Sequence, residues 1–364
     1  MNNKAQPLAT DQARTLTELV QRAQRQLPAA HWDYLMGAAE TETGLRRNRC
    51  GLDALAFRPR ILNDVSSIDC GTELLGQKQR IPVLLSPLGS IQLFHADGAA
   101  AAARAAAAFG VLHILSSVCL PDYEDLASLV PGPRILQLYL VGDEAWMDEI
   151  ISRAAALGYT ALCLTADTQV YSRRERDMHR RWTPPSGRVA GTNDFAYQSR
   201  MTWDTVAHIK DKFDLPLIIK GVNAAEDAAR CVQAGVDVVY VSDHGGRQLD
   251  HTRACIDALP EVVAAVQGRV PVLVDGGFYR GADVVKALCL GADGIGIGRL
   301  QGLAMAAGGA SAVLRMLEIL EHEIHTAMAL LGAASIAELN ESLLVQSQAL
   351  HIGNLRSAFP LIDS

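Results

Sequence analysis

The sequence predicts an α/β protein folded as a (β/α)8 TIM barrel, with an N-terminal helical extension and C-terminal helices. Three observations predict it. Eight short apolar runs rich in Val, Ile and Leu recur along the chain. Helix-like amphipathic stretches separate most of them. A polar or charged residue stands at the C-terminal end of every run, which is where a barrel of this kind builds its active site.

The runs are Pro82 to Ser86, Leu112 to Ser116, Arg134 to Tyr139, Ala161 to Ala166, Pro216 to Lys220, Val238 to Ser242, Pro271 to Asp275, and Gly294 to Gly298. They do not alternate apolar with polar, as expected of parallel strands buried on both faces. Between them, Asp97 to Phe109, Asp122 to Leu129, Glu144 to Leu157, Ala224 to Ala234, Ala254 to Val266 and Ala282 to Leu290 read as amphipathic helices. Gly110, Gly158, Gly235 and Gly291 follow four of them, where a left-handed C-cap favours glycine. Asp97 and Asn223 stand at N-cap positions. The longest connection, Arg180 to about Met201, is rich in Pro, Gly, Ser, Asn and Arg and reads as a mobile loop over the barrel mouth. Residues before Ile81 form the N-terminal extension, and a long helical segment follows Gln301. The whole chain, 1–364, reads as one domain with the barrel over about 81–330. A doubly wound sheet is the competing arrangement on pattern alone.

With 49% hydrophobic and 20% charged residues, the chain can bury a large core. A net charge of −7 and the lack of a basic block argue against nucleic acid as a partner, since that binding rests on Lys and Arg. The N-terminus, Met1 to Gln26, is polar, and no apolar run reaches membrane-spanning length, so neither a secretory signal nor a transmembrane segment is expected. Seven scattered cysteines without a CxxC pair fit reduced thiols and a cytoplasmic location.

The strand ends offer Ser86, Ser116, Gln137 with Tyr139, Thr165 with Asp167, Lys220, His244 with Arg247, Asp275 and Arg299. His244 lies in Ser242-Asp243-His244-Gly245-Gly246-Arg247-Gln248-Leu249-Asp250. An imidazole titrates near neutral pH, and the adjacent glycines would let a substrate approach closely. Arg247 has a planar fork suited to a carboxylate, although the same string could be a turn with a surface histidine. Lys220 ends an apolar strand and either snorkels or holds a negative charge. Arg173-Arg174-Glu175-Arg176 is either a solvated charge run or, being close to Asp167, part of the site. Asp275-Gly276-Gly277 and Gly294-Ile295-Gly296-Ile297-Gly298-Arg299 come from the last two strands, whose loops often hold phosphate in these barrels. That second string lacks the dinucleotide-fingerprint spacing. His322 and His325 miss the HExxH zinc spacing by one residue and are read as an exposed helix face, so no metal site is expected.

Taken together, Phe57-Arg58-Pro59-Arg60, Gln137-Leu138-Tyr139, Leu164-Thr165-Ala166-Asp167-Thr168, Arg173-Arg174-Glu175, Ile219-Lys220-Gly221, His244 to Asp250 and Gly298-Arg299 resemble one family, the FMN-dependent 2-hydroxy-acid oxidases and dehydrogenases. Its members include glycolate oxidase, flavin-type lactate dehydrogenase and mandelate dehydrogenase. The resemblance runs from about Leu27 to Gly332 and implies a barrel with FMN at its mouth. It implies oxidation of an L-2-hydroxy acid to the 2-oxo acid, with His244 as base and flavin N5 as electron acceptor. Asp167 would pair with His244, and its charge is expected to raise the histidine pKa. Arg174 and Arg247 would hold the substrate carboxylate, and Tyr34 and Tyr139 would hydrogen-bond around it and the 2-hydroxyl. Ser116, Gln137, Thr165 and Ser242 would bond the flavin, with Lys220 at its N1 and O2 edge. Asp275, Gly277, Gly298 and Arg299 would hold the ribityl chain and phosphate. Oxygen, a quinone or a carrier protein would take the electrons, and a homotetramer is implied.

Several positions depart from the family pattern. Tyr279 stands where an arginine usually contacts the FMN phosphate, with Arg280 one position later. Leu88 replaces a usual threonine, Asp243 replaces the asparagine before the histidine, and Val118 replaces an aromatic of some members. Asp243 would alter the His244 pKa or pair with a cation. The mouth loop is also shorter. These changes leave two alternatives: oxidation of a 2-hydroxy acyl group on a larger substrate, or an FMN-binding homologue of weak activity.

Overall fold

The computed structural model describes residues 11–187, 195–349 and 358–359. Eight parallel strands form one sheet: Val83–Leu85, Ile114–Ser116, Ile135–Leu138, Ala161–Thr165, Leu217–Val222, Val238–Val241, Val272–Val274 and Gly294–Ile297. Each falls within two residues of its expected run, because nearly every strand position is buried and apolar side chains are required on both faces. Around the sheet each strand neighbours the next in sequence, with the eighth beside the first. The ring closes between the first and second strands through the parallel bridge Leu85–His113 and a 2.9 Å bond from Leu85 N to Leu112 O. There is no reversal of strand order, so the doubly wound alternative fails.

Leu84, Ile114, Ile135, Cys163, Ile218, Tyr240 and Leu273 fill the barrel interior. Leu74 joins them from a short hairpin, Thr72–Leu74 with Gln77–Gln79, that sequence reading missed. It lies against Gly294 at the start of the eighth strand, so one end of the barrel is plugged and the other is left for chemistry.

The expected helices form as Gly98–Phe109, Tyr123–Leu129, Glu144–Ala156, Ala225–Gln233, Cys255–Val266 and Gly281–Cys289. The four glycines after them have positive φ, as the C-cap reading required. Of the two N-cap positions, Asp97 stands where expected and Asn223 is corrected. Asp97 makes no cap bond and pairs with Arg104 at 2.6 Å. Ala224, not Asn223, precedes its helix, and the Asn223 Oδ1 accepts from Arg253 Nε at 3.0 Å. A helix at Trp203–Lys212, capped by Thr202, was missed.

The N-terminal extension is three helices, Leu16–Gln26, Ala29–Met36 and Thr43–Asp53. The last long helix, Arg299–Leu331, breaks at Gly308 and Gly309 and packs on the first. It is long and apolar enough to cross a bilayer by length and composition alone, but 72% of its apolar window is buried against the protein, as in a core helix. None of the seven cysteines forms a disulfide, and six are buried. In the loop after the fourth strand, residues 188–194 lie outside those described.

Candidate active site

The open barrel end holds a cavity of about 1150 Å³, counting space open to solvent. Tyr34, Tyr139, Arg174, Lys220, His244, Arg247, Asp275, Gly277, Gly298 and Arg299, all expected at the site, line it. Ser116, Gln137, Thr165, Asp167 and Ser242 stand directly behind the lining at the strand ends.

His244 follows the sixth strand with φ 58°, and Gly245 and Gly246 continue at φ 67° and 75°. A non-glycine residue in this region is strained, and here the strain aims the imidazole across the mouth. Packing requires both glycines, and Gly245 also borders the cavity. A Cβ on Gly245 would lie 2.5 Å from Arg299 Nη1, and one on Gly246 would strike the Leu45 backbone nitrogen.

The His244 Nδ1 is 3.0 Å from Asp167 Oδ1, and its Nε2 is 3.3 Å from the Tyr139 hydroxyl. Burial pushes the His244 pKa down, and the charges of Lys220 and Arg174 add to that; Asp167 opposes them without prevailing. This corrects the expectation of a raised pKa, which counted the carboxylate and omitted burial and the cations. Burial alone would raise the Asp167 pKa, but His244, Lys220 and the Thr168 hydrogen bond hold it below the ordinary carboxylate range. An ionised Asp167 only accepts, so Nδ1 carries the proton and Nε2 has the free lone pair. Burial raises the Tyr139 pKa, so its phenol stays protonated and can donate.

Lys220 lies two residues before the end of the fifth strand, buried, with Nζ 2.7 Å from Ser242 Oγ and 3.4 Å from Asp275 Oδ2. Burial opposes its charge, but Asp275 and Asp167 outweigh that and raise its pKa, so it is a fixed cation. Ser242 Oγ donates to Asp275 Oδ1 at 2.6 Å and accepts from the His244 backbone N–H at 3.0 Å, joining the fifth, sixth and seventh strand ends.

Arg247 donates to the carbonyls of Tyr34 and Gly37 at 2.6 and 2.9 Å and lies 4.9 Å over the Tyr34 ring. Burial and the neighbouring Arg174 push its pKa down to about 10. The basic run after Asp167 divides. Arg174 turns into the cavity, and Arg176 turns out to Glu42 at 2.6 Å. Among the described residues, Arg174, Arg247 and Arg299 have no carboxylate partner. A buried cation of this kind calls for an anion from outside.

At the strand ends around the cavity, three buried donors have no partner among the described residues: Gln137 Nε2, Thr165 Oγ1 and Arg299 Nε. Ser116 Oγ donates to Gln137 Oε1 at 3.0 Å and so turns that amide nitrogen free. Unmet buried donors cost roughly 1–3 kcal/mol each. Together with the Lys220 cation they fit a large ligand rich in acceptors, and the space a Cβ at Gly298 would fill is open. FMN, with its ring carbonyls and phosphate, is such a ligand.

Asp243 neither pairs with a cation nor features in the His244 electrostatics. It accepts from Asn48 Nδ2 at 2.6 Å and from Cys255 Sγ at 3.3 Å, below the cavity floor, and burial raises its pKa. Tyr171 and Ser186 were missed by sequence reading. Arg174 lies 4.6 Å over the Tyr171 ring and donates to its hydroxyl at 3.1 Å. The one available signal was an aromatic three residues before Arg174. Ser186 Oγ is 3.2 Å from the Tyr34 hydroxyl, and its backbone N–H donates to Ser90 Oγ at 2.8 Å. The start of the long loop therefore does reach the mouth.

The profile of the family described as FMN-dependent dehydrogenase matches residues 23–346. The chain belongs to this family. It is an FMN-dependent oxidoreductase acting on a CH–OH group. It is 39% identical to glycolate oxidase of Spinacia oleracea over 340 residues, covering 88% of this chain and 92% of that one. It is 37% identical to an L-lactate oxidase of a Nostoc species over 354 residues, covering 90% and 97%. A soluble mutant of the membrane-associated (S)-mandelate dehydrogenase of Pseudomonas putida superposes with a TM-score of 0.86 at 33% identity, covering 91% of this family member and 99% of that chain. Mandelate oxidase solved with benzoylformic acid gives 0.86 at 35% identity, covering 93% and 100%.

Proposed function

We propose that this dehydrogenase-family member oxidises an L-2-hydroxy acid bearing an apolar side chain to the 2-oxo acid, with His244 as the base. The observation that carries the reading is the neutral imidazole held between Asp167 and Tyr139, facing two arginines without carboxylate partners. Arg174 and Arg247 bind the substrate carboxylate, and Tyr34 fixes its orientation against the Arg247 fork. Tyr139 donates to the 2-oxygen while His244 Nε2 takes a proton, and Asp167 stabilises the imidazolium that results. Leu88, Val118, Val141 and Phe94 make the rest of the wall apolar, which favours a hydrophobic side chain over glycolate.

Bound FMN supplies the electron acceptor at N5. Gln137 and Thr165 would hold its ring by their unmet donors and Lys220 by its fixed charge, with Ser116 orienting the Gln137 amide and Ser242 the Lys220 ammonium; Asp275, Gly277, Gly298 and Arg299 would hold the ribityl chain and phosphate. Oxygen, a quinone or a carrier protein would be the final electron acceptor.

The test is anaerobic mixing with glycolate, L-lactate, L-mandelate and longer L-2-hydroxy acids. The flavin absorbance is expected to bleach, most readily with apolar side chains. His244→Ala is expected to keep the flavin and lose the bleaching. A near-normal reduction rate in that variant would overturn the base assignment. Bleaching by none of these acids, with the flavin bound, would favour the larger-substrate reading, which the Leu88 and Val118 positions in the wall also suit.

A further inference from the structure

The loops after the seventh and eighth strands are neighbours, because those strands pair in parallel. Gly276, Gly277 and Tyr279 come from one loop, and Gly298 and Arg299 from the other; all border the cavity. The helix that begins at Arg299 points its N-terminus here, an end that favours an anion. Arg299 Nη1 and Nη2 are used on the carbonyls of Gly245 and Gly37 at 2.8 and 2.9 Å, and the buried Nε has no acceptor.

Tyr279 is 5% exposed, and its hydroxyl makes no hydrogen bond among the described residues. The residue lines the cavity wall beside Arg299. The ring is held edge-on against Phe359 at 5.4 Å, and the backbone N–H is tied to Asp283 at 3.0 Å. The neighbouring cation, Arg280, is committed elsewhere, to Glu323 at 2.5 Å and the Ala358 carbonyl at 3.0 Å.

We infer that Tyr279 binds the FMN phosphate, donating its phenol O–H beside the single guanidinium of Arg299. The inference rests on FMN being the cofactor. The phenol is protonated, since burial raises its pKa beyond what Arg299 and Arg49 take back. The phosphate end then carries one cation and one neutral donor, so phosphate binding here is less salt-dependent than at a site with two arginines.

Holoenzyme is prepared as wild type, Tyr279→Phe and Tyr279→Arg. FMN release on dilution is followed by the rise in flavin fluorescence, and rebinding of FMN and of riboflavin gives two dissociation constants for each protein. Tyr279→Phe is expected to weaken FMN about ten-fold, the effect of one hydrogen bond to a charged group, and to leave riboflavin unchanged. An unchanged FMN constant, or an equal loss for both flavins, would overturn the assignment; the second result would mark Tyr279 as a packing residue only. Should the Phe variant fail to fold, salt dependence decides: wild type is expected to lose less FMN affinity between low and high salt than Tyr279→Arg, and equal slopes overturn the proposal. A wild type that retains neither flavin would instead refute FMN as the cofactor.

Discussion

At the residue scale the balance around His244 decides the chemistry. Burial, Lys220 and Arg174 lower its pKa from 6.5, and Asp167 pulls the other way. A base with a lowered pKa is free at neutral pH and is lost only as pH falls through that lower value. The acid limb of kcat/KM is therefore expected below pH 6.5 in steady-state profiles. Asp167→Asn removes the one contribution that raises it, so the limb should move further toward acid while kcat falls about a hundred-fold or more, because the imidazolium loses its counter-charge. A limb that moved toward alkaline pH would contradict this balance. The residue types were legible in the sequence because strand ends and motif order bring them to one place. The sign of the histidine shift was not, since it depends on how deeply the group is buried and on which cations face it. Asp243 misled for a similar reason: adjacency in sequence placed it beside His244, but the turn directs it down to Asn48 and Cys255.

At the element scale the N-terminal helix Thr43–Asp53 is built into the site. Its Arg49 forms a fork with Asp283 at 2.7 and 2.8 Å and reaches the Gly277 carbonyl at 2.9 Å, while Asp283 also accepts from the Tyr279 N–H at 3.0 Å. Burial disfavours the Asp283 carboxylate, but Arg49 and these hydrogen bonds hold its pKa below 3.8. Its contribution to stability is thus complete above that value and is lost as pH falls through the lower folded-state pKa. Asp283→Ala strands a buried guanidinium, of which Asp53 neutralises part, so a loss of about 3 kcal/mol is expected in urea unfolding at pH 7, narrowing in strong acid. A loss below about 0.5 kcal/mol would show that Asp53 suffices alone. The barrel strands were legible because burial on both faces forces an apolar run. The hairpin carrying Leu74 was not, since Thr72–Leu74 and Gln77–Gln79 are three-residue polar segments whose single apolar contact is tertiary. The Trp203–Lys212 helix was passed over because it adjoins a polar loop, although Thr202 caps it and its buried face is only Val206 and Ile209.

At the scale of the whole molecule, a chain of net charge −7 gathers Arg174, Arg247 and Arg299 around one cavity, and among the described residues none of the three makes an ion pair, although Asp177 acts on Arg174 and Arg247 from beyond ion-pair distance. The depressed pKa of Arg247, about 10, is the mark of that crowding: burial and Arg174 both disfavour its charge. Folding therefore carries an electrostatic cost that a bound carboxylate relieves, and binding should report itself as stability. A ligand at 100 times its Kd adds about 2.7 kcal/mol, which for a chain of this size is a rise of a few degrees in Tm. Thermal unfolding of the holoenzyme with a 2-oxo acid at that concentration should show such a rise, and Arg247→Ala should remove most of it by weakening the binding at fixed ligand concentration. Because the arginines are buried or partly buried, moderate salt should reduce the rise only slightly. The amide of the same acid, matched in shape but uncharged, should stabilise far less. If the amide and the acid raised Tm equally, the cavity would be reading the side chain and not the carboxylate, and the assignment of Arg174 and Arg247 would fall with it.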